Sequence, residues 1–153
     1  MSAAGGSVVS MTNSLVPSQL NLVVSDLSRS IEFYRLLGWP VGEPTGPHVE
    51  IDFGSGLTVD LDEYEFARQW NSGTPSLTGG SAVLSVRVAE RPDVDSLVAR
   101  MASAGHVVRQ VPYDTFWGSR FAVIADPDGY QIGIMSLSVA EHRFWPPTDA
   151  PTA

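Results

Sequence analysis

The chain has 153 residues, which fits one domain, and a chain of this size removes roughly 68–70% of its unfolded surface from water without disulfides or a structural metal. It contains no cysteine, which excludes thiol nucleophiles, disulfides, Cys-ligated zinc and iron–sulfur clusters. Its 17 acidic residues against 9 basic ones give a formal net charge of -8, which repels phosphate backbones and permits a cationic ligand, so no nucleic-acid partner is expected.

Residues 1–17 are rich in Ser, Gly and Ala with no sustained period and read as a flexible N-terminal arm. The opening lacks the basic start and apolar run of a signal peptide. No stretch approaches the roughly 18 apolar residues of a spanning helix, so the expected protein is cytoplasmic with no membrane partner.

From there the pattern predicts strand, helix, then three strands, twice. Gln19–Val24 alternates and is β-rich. Ser25 or Asp26 caps a helix running through Leu36, with Leu27, Ile31, Phe33, Tyr34 and Leu37 as its apolar stripe and Gly38 closing it. Strands are expected at Val41–Glu43, His48–Asp52 and Leu57–Leu61. A linker at 63–80 holds a short helix at Glu63–Trp70 and a Gly/Ser/Thr/Pro loop. The order then recurs: strand Val83–Val88, helix Asp93–Ala104, strands Val107–Val111, Arg120–Ala125 and Tyr130–Met135, with Asp126-Pro-Asp-Gly129 as a type I turn. Residues 138–153 are expected to hold a short helix at Val139–Phe144 and a Pro-rich tail.

The fold class is therefore α+β, with two tandem βαβββ modules, about 18–62 and about 81–137, inside one domain at 18–137. Strand alternation separates two faces. One carries Leu20, Leu22, Val24, Val59, Leu61, Leu84, Val86, Val88, Ile132 and Ile134 and belongs under the helices. The other carries Gln19, Asn21, Thr58, Asp60, Asp62, Ser85, Arg87 and Gln131 among a few apolar residues. If the sheets curve toward each other, this polar face lines a cleft. Each group buried there without a partner costs roughly 1–3 kcal/mol, so a ligand, water or a pairing such as Asp60 with Arg87 must satisfy it.

Leu22-Val-Val-Ser-Asp-Leu-Ser-Arg-Ser-Ile-Glu-Phe-Tyr-Arg-Leu-Leu-Gly38, followed by Trp117-Gly-Ser-Arg-Phe-Ala-Val-Ile-Ala-Asp-Pro-Asp-Gly-Tyr130, resembles the glyoxalase, bleomycin-resistance and dioxygenase superfamily, also called vicinal oxygen chelate proteins. The resemblance runs from about Gln19 to Met135 and implies paired modules around a U-shaped cleft, usually in a homodimer. Metal enzymes of that family place ligands at positions that fall here on Gln19, Asp60, Val83 and Gly133, of which the last two have no ligating side chain. His48, His106 and His142 lie outside all four positions, so no metal and no cofactor is expected.

The resemblance then implies a metal-free small-molecule binder that sequesters a cationic or aromatic antibiotic or toxic metabolite. The ligand-binding candidates are Gln19, Asn21, Asp60, Asp62, Ser85, Arg87 and Gln131 on the polar face, with Trp70, Phe116 and Trp117 near its mouth. The alternative is a lyase, isomerase or dioxygenase using no metal or a non-standard site that includes Asp60. His48 with Glu50, Tyr113, Asp114 and Arg87 are its acid–base candidates, although His48 and Glu50 at this spacing more often form an exposed polar face. A third reading is a structural or regulatory module whose cleft is filled by its own side chains.

Overall fold

The computed structural model describes residues 17–73, 77, 82–145 and 150–152. Within them run β1 (Gln19–Val24), α1 (Leu27–Leu37), β2 (His48–Asp52), β3 (Thr58–Glu63), α2 (Tyr64–Trp70), β4 (Val83–Arg87), α3 (Arg91–Ser103), β5 (Val108–Asp114), β6 (Arg120–Ala125) and β7 (Gln131–Met135). The strands make two mixed sheets, ordered β1-β3-β2 and β4-β7-β6-β5. In each, the first strand pairs in parallel with the last one of its module after a helical crossover. This is the α+β architecture expected from the alternation of strands and helices.

Asp26 caps α1 by accepting from the Arg29 N–H, and Gly38, in the left-handed region, ends it. The helix buries Leu27, Ile31, Phe33, Tyr34 and Leu37, the stripe that its period predicts. On the second sheet α3 buries Val94, Leu97, Val98 and Met101. It begins at Arg91, two residues before the expected start, because Glu90 and Asp93 form a reciprocal capping box ahead of it.

Three expectations are corrected. Val41–Glu43 is not a strand, so among the described residues the first sheet has three strands instead of four. Pro40, Gly42, Pro44 and Pro47 interrupt the segment, and the Arg35 guanidinium takes the Val41 and Gly42 carbonyls that a ladder would use. The tail helix is only a 3-10 turn at Ala140–His142. Backbone bonds from Val139 N–H to Gly118 and from Phe144 N–H to Phe116 hold its ends to the preceding turn and stop it from winding further. Finally, β5 extends to Asp114 through Pro112, which an edge strand tolerates.

One continuous apolar core spans both modules, from Leu22, Phe33, Tyr34 and Ile51 to Met101, Ile124, Ile132 and Ile134. The modules thus dock through their helix-bearing sides. Phe33 meets His106 edge-on at 4.8 Å, and the Tyr34 hydroxyl donates to the buried Asp126 carboxylate at 2.7 Å. The Ser25 hydroxyl donates to Asp128 and the Tyr130 hydroxyl to the Val23 carbonyl. The Asp126-Pro-Asp-Gly129 turn therefore ties the second module to both β1 and α1.

Candidate functional site

β3 lies between β1 and β2, so its outward carboxylates sit at the centre of the first sheet. Parallel register sets Asn21 beside Asp60, and antiparallel register sets His48 opposite Asp62 and Glu50 opposite Asp60. Asp60 and Asp62 are 3% and 2% exposed, which demands partners for both. Asp60 accepts from the Gln19 amide at 2.7 Å and the Thr58 hydroxyl at 3.2 Å. Asp62 accepts from the Asn21 amide at 2.7 Å and faces His48 Nδ1 at 2.6 Å. Burial holds the Asp60 carboxyl above its usual range, against the opposing pull of His48 and the Thr58 hydrogen bond.

After β3 the chain turns straight into α2, which buries Ala67 and brings Phe66 and Trp70 to the polar face. Between helix and sheet lies a cavity of about 370 Å³ lined by Gln19, Asn21, His48, Asp60, Phe66 and Trp70. Its floor is anionic and amide-lined and its cover is aromatic. The His48 and Phe66 rings lie 6.0 Å apart, and Trp70 is 48% exposed at the rim.

Four sequence-derived candidates, Gln19, Asn21, Asp60 and Trp70, line this cavity, and Asp62 lies beneath it. The others are elsewhere. Ser85 and Arg87 edge a larger groove of about 440 Å³ with Trp39, Phe53, Leu84 and Val86. The expected Asp60–Arg87 pair does not form, because Gln19 and Thr58 satisfy Asp60. Phe116 and Trp117 pack edge-on at 5.1 Å, and Phe116 meets Trp145 at 6.0 Å. Gln131 pairs with Val83 in the ladder, and Asp114 is spent on Arg91 and Arg120.

Of the lining residues, Phe66 is absent from the sequence-derived candidates, and His48 is among them with a different partner. His48 pairs with Asp62 across the hairpin instead of with Glu50 along its own strand. Its alternation in phase with Asp60 and Asp62 was the available signal.

The four family metal positions do not fit a metal here. Gln19 donates its amide to Asp60, and Val83 offers no ligand atom. A side chain on Gly133 would collide with the Ser85 hydroxyl and come within 3.0 Å of the Phe121 ring, so a ligating residue there would have to displace Ser85. Among the described residues no group of three or more His, Cys, Asp or Glu converges on a metal position.

A βαββ unit followed by a βαβββ unit, with buried acids on the outward face of the first sheet, defines a fold class that comparison identifies. The model of the glyoxalase/bleomycin resistance protein/dioxygenase superfamily matches residues 17–134, and the chain belongs to that superfamily. An uncharacterized protein of Mycobacterium bovis is 28% identical over 120 residues, covering 72% of this chain and 76% of its own. Among solved structures, a hypothetical protein from S. aureus is 27% identical with a TM-score of 0.69, covering 83% of this chain and 95% of its own. A glyoxalase-related enzyme from Fulvimarina pelagi shares the fold at 20% identity and a TM-score of 0.72, covering 88% of this chain and 97% of its own.

Proposed function

We propose that the protein binds a compact, planar, cationic small molecule in the cavity between β3 and α2. One observation carries this reading: the buried Asp60 carboxylate lines a cavity whose cover is Phe66 and Trp70, with the buried Asp62 behind the Asn21 and His48 side chains of the same lining. A cation in this cavity gains Coulomb attraction from the floor and roughly 0.5–2 kcal/mol from each aromatic face. The overall charge of -8 adds long-range attraction of the same sign. Sequestration of a toxic cationic compound is the role that suits such a site. The protein works as a homodimer, a reading supported by Leu20 on β1 and Val83 on β4, which lie on edge strands at 37% and 44% exposure.

Calorimetric titration with N-methylquinolinium, a planar cation, against 2-naphthoate, a planar anion, tests the binding reading. The cation is expected to bind and the anion not. Asp60→Asn is expected to weaken the cation at least about tenfold, equivalent to about 1.4 kcal/mol. Equal binding of both probes, or an unchanged affinity in the variant, overturns the reading.

A further inference from the structure

The cavity contains one group that simple cation binding does not need. His48 sits on the sheet face with its Nδ1 at 2.6 Å from Asp62 Oδ1, and the other oxygen of Asp62 is held by the Asn21 amide at 2.7 Å. A carboxylate so fixed accepts a hydrogen bond from Nδ1–H, which keeps the proton on Nδ1 and leaves the lone pair on Nε2. That nitrogen stands 3.9 Å from Asp60 Oδ2, beyond hydrogen-bond distance, and His48 lines the cavity with 30% of its side chain exposed. Among the described residues no other side chain forms a salt bridge or hydrogen bond with the ring.

We propose that His48 is a general base in this cavity, held in place by Asp62, and that it acts on planar small molecules carrying an acidic C–H beside a C=O or C=N bond. The proposal rests on the cavity being the ligand site, as argued above. In the step, the substrate C–H bond breaks and its proton passes to His48 Nε2. The bond's electron pair forms a new C=C bond while the carbonyl π pair moves onto oxygen. Return of the same proton to a conjugated carbon completes an isomerisation, so no oxidant, reductant or co-reactant is required. The imidazolium formed on the way lies between Asp62 and Asp60, both anionic when ionised, and Asp62 stabilises it as the carboxylate of a catalytic triad stabilises its histidine. Asp62 touches no substrate and is a positioning residue.

A chromogenic probe of base strength, 5-nitrobenzisoxazole, reads this chemistry directly. Its C–H proton goes to the base, the C–H pair becomes part of a nitrile, and the N–O bond breaks to release a coloured phenolate. The full-length protein is expected to accelerate the reaction. His48→Gln should lower kcat about 100-fold, the lower end of a positioned base's contribution. Asp62→Asn should lower kcat while leaving KM nearly unchanged, which a purely structural role would not do. N-methylquinolinium binding retained in His48→Gln shows that the site is folded. Elimination as fast in His48→Gln as in the parent protein overturns the proposal even when the cation still binds. Elimination that needs His48 without any cation binding upholds the base and overturns the cationic reading alone.

Discussion

At the scale of single residues, Asp60 is a carboxyl whose charged form burial disfavours, and Asp126 is shifted upward by the same cause. A folded-state value above the unfolded one means that the native protein holds the proton longer. Between the two values the native state binds more protons than the unfolded chain, so stability falls as pH rises through that window. Asp60→Asn removes the ionisation and can still pair with Gln19 and Thr58. Its melting temperature should exceed that of the parent at neutral pH, with the difference vanishing in acid below about pH 4, the ordinary carboxylate range. Parallel melting curves across pH would contradict this. The variant expected to lose ligand is thus expected to gain stability, a common trade at binding sites. The acids and amides of this site were legible in the sequence because strand alternation fixes their face. His48 was legible as an acid–base candidate but its pairing with Asp62 was not, since that partner depends on the register of a hairpin whose turn, Phe53-Gly-Ser-Gly-Leu57, sets which residue it opposes.

Among the elements, all three α-helices and all seven strands of the described residues could be placed from period, caps and glycines, with end shifts of at most three residues. The failures share a cause. Val41–Glu43 has strand-like residues, yet prolines and the Arg35 side chain occupy the backbone groups that pairing requires. The tail reads as helical but is pinned at both ends by long-range backbone bonds that no local pattern announces. Gly118 makes that pinning possible. Its φ of +92° suits glycine alone, and a side chain there would run into the Val139 carbonyl and come within 2.9 Å of Arg143 Cγ. Gly118→Ala should therefore cost about 1–3 kcal/mol, read from the urea midpoint, and should free the tail to proteolysis before the sheets open. A variant as stable and as resistant as the parent would show that the turn does not hold the tail.

Across the whole molecule, the two modules are held together by buried side chains as well as by the chain between them. Tyr34→Phe removes the hydroxyl that Asp126 accepts from and leaves that carboxylate with the Asp128 and Tyr130 N–H groups only. The expected loss is about 1–3 kcal/mol in one cooperative transition, and a split into two transitions would mean that the modules fold separately. The truncated first sheet has a further consequence at this scale. Among the described residues no fourth strand pairs with β2, whose outer side is met by the Thr45–His48 bridge at its start, and the rest of that side is a hydrogen-bonding edge, the kind of surface on which foreign strands add and aggregates begin. Glu50 and Asp52 project from that strand into solvent on the face opposite Val49 and Ile51. A second copy approaching edge to edge meets its own negative charge there, so the acidity that favours a cation inside the cavity also keeps the outer rim from polymerising.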